Sequence, residues 1–115
     1  MLPKLYSNQK AVRIIKSPSN ADNPYSIFNN AALEGALKNL KPNAFKLWAV
    51  LNANQNNYEL GFSPAHFSAM TNIHADTARA AFKELIDKGY LVEVELRNNL
   101  SGYLFIEEGN RGGKE

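Results

Sequence analysis

Apolar positions fall into runs of different period along the chain. Ala32, Leu33, Ala36, Leu37 and Leu40 recur at helical spacing, which predicts a short helix over Asn30–Asn39. Pro42 then suits the first turn of a second helix, because the N–H it lacks is one that a helix start leaves unpaired anyway. Phe45, Trp48, Ala49 and Leu51 or Asn52 approximate the apolar face of that helix, and "NANQNNY" ends it. Residues 58–62, "YELGF", read as a short strand. Ser63 followed by Pro64 is a strong start signal for a third helix, with Phe67 and Met70 on one face. After the turn "TNIH", Ala78, Ala81, Phe82, Leu85 and Ile86 mark the buried side of a longer helix over residues 75–88. Lys88 suits its C-terminal end, and Gly89 is a natural stop. Beyond Gly89 the period drops to two, so residues 92–96 read as a strand. The six residues "RNNLSG" connect it to a returning strand, "YLFIEE".

The first 26 residues follow neither period. Pro3, Pro18 and Pro24 interrupt them, and "SPSNADNPYS" is turn chemistry throughout. Residues 11–15, "AVRII", are the apolar exception and are expected to be a short strand added to the domain's edge or part of an arm. The organisation expected is an arm over residues 1–26, one α+β domain over residues 27–108, and a Gly-rich tail over residues 109–115 that frays. The fold class predicted is three to four helices with a small antiparallel sheet.

Composition narrows the class. With 44% apolar residues the 115-residue chain can build a core. No apolar run is long enough for a bilayer, and the N-terminus lacks the continuous apolar stretch of a signal peptide, so a cytoplasmic protein with no membrane partner is expected. There is no cysteine, which removes disulfides and thiolate zinc sites. Net charge is only +2, but it is unevenly placed. Residues 1–24 carry Lys4, Lys10, Arg13 and Lys16 against Asp22, a net of +3, whereas residues 89–108 carry four glutamates against Arg97, a net of −3.

Strand, helix, tight turn, longer helix and hairpin, in that order, form one constellation. In "FSAMTNIHADTARAAFKELIDKGYL" Phe67 and Met70 pack the first helix, Asn72 occupies the turn, and Ile73 plugs the angle between the helices. Two short helices that cross steeply need such a plug and a residue tolerant of a left-handed backbone. Over residues 42–107 this pattern resembles the winged helix-turn-helix DNA-binding superfamily. It looks most like small proteins of Gram-positive plasmids, phages and conjugative elements: replication initiators, regulators and transfer-origin accessory factors. The resemblance implies that residues 75–88 form a recognition helix facing the major groove. His74, Ala75, Asp76, Thr77, Ala80 and Lys83 would then face DNA, with Arg79 beside them. It also implies a wing at residues 97–101, including Arg97, Asn98 and Asn99, and a phosphate contact from the amides after Ser63. Double-stranded DNA, a homodimer on repeated sites and other proteins of a DNA-processing complex are the partners it suggests.

Charge qualifies that picture. Over residues 75–88, Arg79, Lys83 and Lys88 stand against Asp76, Glu84 and Asp87, so the helix is neutral. Affinity for DNA rests largely on phosphate neutralisation. The grip is therefore expected from Lys10, Arg13 and Lys16 in the arm and Arg97 at the wing, with Lys46 as a further cation. The competing reading is a winged helix used only for protein interaction, which a neutral helix and acidic wing strands also fit. Equally bland alternatives exist locally: solvated charges for Arg13 and Lys16, and a polar turn for Arg97, Asn98 and Asn99.

Catalysis finds no motif. HExxH, GxSxG, Walker A and GxGxxG patterns are absent. His66 and His74 lack the companions of a metal site, and "GNRGGKE" lacks the Ser or Thr of a phosphate loop. No enzyme activity, cofactor, metal or small-molecule substrate is expected.

Overall fold

A computed structural model describes residues 10–22, 27–54 and 63–109. Among these lie four helices and one two-stranded antiparallel sheet, an α+β arrangement. The helices are α1 (Asn30–Asn39), α2 (Pro42–Ala53), α3 (Pro64–Thr71) and α4 (Ala75–Asp87), followed by β1 (Leu91–Arg97) and β2 (Leu100–Phe105). The strand expected at residues 58–62, the start of the arm and all of the tail but Gly109 lie outside the described residues.

Three of the four helices begin at a side-chain cap, and α2 begins at Pro42 without one. The Asn29 side chain accepts from the Ala32 N–H at 2.9 Å and starts α1. The Ser63 hydroxyl accepts from the His66 N–H at 3.1 Å and starts α3, with Pro64 in the first turn. At α4 the cap is His74, whose Nδ1 accepts from the Asp76 N–H at 3.2 Å. The end of α4 is set by Gly89 at φ 83°. Its N–H donates to the Ile86 carbonyl at 3.1 Å, and that of Tyr90 donates to Leu85 at 2.8 Å. Those two bonds together are the Schellman closure, which satisfies carbonyls the last turn leaves open.

The core forms where α2 and α3 pack on α4. Trp48, Phe67, Leu47 and Leu85 are its largest fully buried side chains. Each contributes on the order of 1.5–3 kcal/mol by leaving water. Trp48 also stacks with Phe45 and Phe28 at centroid distances of 5.5 and 5.9 Å. Leu47, absent from the apolar face read off the sequence, is fully buried, because α2 is covered over a wider arc than a single stripe. Met70 departs in the other direction: it is 54% exposed, since α3 spans only Pro64–Thr71 and Phe67 alone fills its contact with the core.

The α3–α4 corner follows the expected logic. Asn72 takes the left-handed backbone, φ 60° and ψ 28°. Ile73 is half-buried and packs against the core, and the Ser68 hydroxyl donates to its carbonyl.

The hairpin differs from the expected six-residue connection. β1 runs through Arg97 and β2 resumes at Leu100, so only Asn98 and Asn99 separate them. Asn99 takes φ 60°, and a shift in register between Glu95 and Arg97 bulges the strand at Leu96. The bulge and the left-handed asparagine tighten the turn in a way that alternation alone does not reveal.

Of the two expectations for residues 11–15, the edge strand is not found. Residues 10–20 form no strand and are exposed, so "AVRII" does not extend the sheet of its own chain here. Val12, Ile14 and Ile15 are interleaved with Lys10, Arg13 and Lys16 ahead of Pro18, and a strand there needs a paired edge, which this segment does not take up within its own chain.

Candidate functional site

The α3–α4 corner turns one surface of α4 away from the core. Ala78, Ala81 and Leu85 face inward, and Asp76, Arg79, Ala80, Lys83 and Asp87 are exposed. The structure thus gathers Asp76, Arg79, Ala80 and Lys83 on one helix face, with His74 exposed at its head. Thr77 is half-buried on the flank toward α2, where it lines a shallow cleft with Lys41, Pro42, Ala80, Glu84 and Lys88.

Ion pairing on this helix is complete and internal. Arg79 Nη2 pairs with Asp76 one turn back. Lys83 Nζ lies 3.1 Å from Asp87, and Lys88 Nζ lies 3.1 Å from Glu84. Every cation from Arg79 to Lys88 is therefore matched with an acid of its own helix segment. The Arg79 and Lys83 pairs are solvent-exposed, and such pairs are worth little, about 0–1 kcal/mol.

The third pair is different. Lys88 also donates to the Asn39 carbonyl at the end of α1, and Glu84 accepts from the Lys41 N–H at 2.9 Å. Partial burial pushes the Glu84 carboxyl up, but the Lys41 N–H and the Lys88 ammonium together outweigh it and hold the pKa below the usual carboxylate value. This cluster fastens the α1–α2 junction to the far end of α4. The sequence offered one signal for it, the Glu84–Lys88 spacing of four.

The other candidate residues belong to separate elements. Ser63 sits at the head of α3 with its hydroxyl used as a cap. Arg97, Asn98 and Asn99 are exposed at the hairpin tip, where the Asn99 N–H donates to Glu95 at 3.4 Å. Lys10, Arg13 and Lys16 are exposed in the arm, interleaved with Val12, Ile14 and Ile15. Lys46 is exposed on α2.

One feature escaped the sequence reading. Leu91 and Phe105 are paired across the sheet and face the core, which fixes the phase of both strands. Glu93 and Tyr103 are paired on that same side, and Tyr103 meets Phe82 of α4 edge-on at 5.3 Å. Val92, Val94 and Leu104 therefore point to the opposite face, away from the helices. Leu96 lies over Gly102, and Leu100 shares the alternation, so this outer face carries five aliphatic side chains, with Arg97, the partner of Leu100, at its tip end.

No group of three or more metal-ligating side chains occurs among the described residues, and no helix among them is long and apolar enough to cross a membrane. No protein-family model, curated protein or solved structure matches the chain.

Proposed function

We propose that the protein is a non-enzymatic, sequence-preferring duplex DNA-binding module of the winged helix-turn-helix kind. The observation that carries this reading is the plugged corner at Asn72 and Ile73. It turns one polar face of α4 outward and leads, through the Gly89 closure, into a hairpin tipped by Arg97. In this reading α4 lies toward the major groove, and His74, Thr77, Arg79 and Lys83 are its polar readers. The Arg79 and Lys83 pairs cost little to open, yet opening them leaves Asp76 and Asp87 beside the phosphates. Net attraction must then come from Lys10, Arg13 and Lys16 in the arm and Arg97 at the tip, segments suited to a narrow minor groove. The sequence resemblance puts the biological role among regulators and accessory factors of plasmid transfer or replication.

The test is selection from a random duplex pool, followed by anisotropy titration of the selected site at salt from about 50 to about 200 mM. Four phosphate-contacting cations give a slope of log K against log salt of roughly −3 to −4. Absence of enrichment and of binding at the lowest salt would sink the reading.

That outcome would favour the second reading, a protein-interaction adaptor with the same architecture. Its support is the internal ion pairing of α4 together with the glutamates on the hairpin.

A further inference from the structure

We infer that two copies of this chain exchange their arms, residues 10–16 of each adding as a third strand along β1 of the other. This does not depend on DNA binding.

Three observations meet in one register. Val12, Ile14 and Ile15 are 79%, 73% and 86% exposed, an apolar cost that a free chain has no reason to carry. The outer sheet face is apolar too, with Leu96, Leu100 and Leu104 at 37%, 41% and 49% exposure. Among the described residues β1 is paired on one side only, by β2, which leaves an edge of the kind that accepts an added strand. Charge then selects the alignment. The arm carries Lys10, Arg13 and Lys16, and β1 carries Glu93 and Glu95.

Side chains alternate along a strand, so placing Arg13 opposite Glu93 decides the rest. Val12 and Ile14 then fall beside Val94 and Val92 on the apolar face. An antiparallel direction sets Ile15 beside Leu91 and Ala11 beside Glu95. A parallel direction would set Ile15 beside Glu95 instead. The antiparallel register thus satisfies all three aliphatic residues and the arginine together, which no shift by one residue does, since a single step sends every side chain to the wrong face. Exchange between copies, not folding back, is assigned because, among the described residues, the arm of a single chain lies exposed and does not pair with its own β1. Reciprocal exchange gives a closed two-fold dimer, in which the β1 edge of each copy is covered once.

The chain has no cysteine, so a crosslinking test has no background. An Arg13→Cys chain is mixed with a differently tagged Glu93→Cys chain and oxidised mildly. Both positions are exposed, and circular dichroism verifies that each variant folds. Directly opposed residues have Cβ atoms about 4.5–5.5 Å apart, within reach of a disulfide. The expected result is a mixed disulfide-linked dimer, formed at least about tenfold faster than with Glu95→Cys, the neighbour two positions along the same face. Light scattering of the unmodified protein is expected to give about twice the chain mass, Arg13→Glu to reduce it to one, and Arg13→Glu with Glu93→Arg to restore it. The inference is overturned by a single chain mass for the unmodified protein at all concentrations, by equal linking at Glu93→Cys and Glu95→Cys, or by Arg13→Glu with Glu93→Arg remaining at one chain mass.

Discussion

The indole Nε1 of Trp48 donates to the backbone carbonyl of Glu107 at 3.0 Å, which ties the middle of α2 to the chain just past the hairpin. The two groups are 59 residues apart in sequence, so this bond joins the helical part of the fold to the end of the hairpin. Trp48→Phe keeps most of the ring volume and removes the donor. It is expected to lower stability by about 1–3 kcal/mol, because a partly buried carbonyl then lacks its partner. Urea denaturation followed by circular dichroism measures this without relying on the fluorescence of the chain's one tryptophan. An unchanged midpoint and slope would show that the carbonyl finds water at no cost.

Glu84 gives the fold a defined acid sensitivity. Its carboxyl titrates below the usual value in the folded state, so it binds a proton less readily there than in the unfolded chain. That contribution is fully present above the unfolded pKa and is lost as pH falls through the lowered, folded one. Glu84→Gln is therefore expected to be less stable than the parent near pH 7, with the difference shrinking by about pH 3. A gap that stays constant between these two pH values would remove the charge from the explanation.

At the corner, Asn72 holds a left-handed backbone that few residues accept. Asn72→Gly is expected to leave stability within about 0.5 kcal/mol of the parent, and Asn72→Val to cost about 1–2 kcal/mol or more. Thermal unfolding of both variants checks the order, and a Val variant as stable as the Gly variant would mean that the corner relaxes.

For DNA, the neutral character of α4 ranks the contributions. Deleting residues 1–16 is expected to weaken duplex binding at least about tenfold. Thr77→Ala is expected to weaken it by less, since Thr77 is half-buried on the α2 flank. Gel-shift titrations of both variants at one salt concentration decide the matter; equal or reversed losses reject the proposed division of labour.

The helices were legible because their caps and stops are local chemistry. Asn30–Asn39 appears with the bounds that the spacing predicts, and Asn72 and Gly89 adopt the left-handed backbones their places imply. The sheet was less legible for a physical reason. Alternation in residues 92–96 says that two faces differ, but not which one meets the helices. That phase is set by the core contact of Leu91, and it places the valines outward, opposite to an apolar-in reading. Leu47 and Met70 likewise depend on how far neighbouring helices extend over them, which periodicity does not encode. Of the candidate site, the neutrality of α4 was visible in composition. The three matched pairs follow helical spacing, but that one of them fastens α1 and α2 needed three dimensions.

Those matched pairs bear on what α4 can sense. A helix that brings its own counterions has few small ions to displace from a polyanion, and so gains little of the entropy that usually drives such encounters. Whatever it discriminates, it must do by contour and by the donors and acceptors at its rim, and its preference should survive changes in ionic strength that alter overall affinity many-fold.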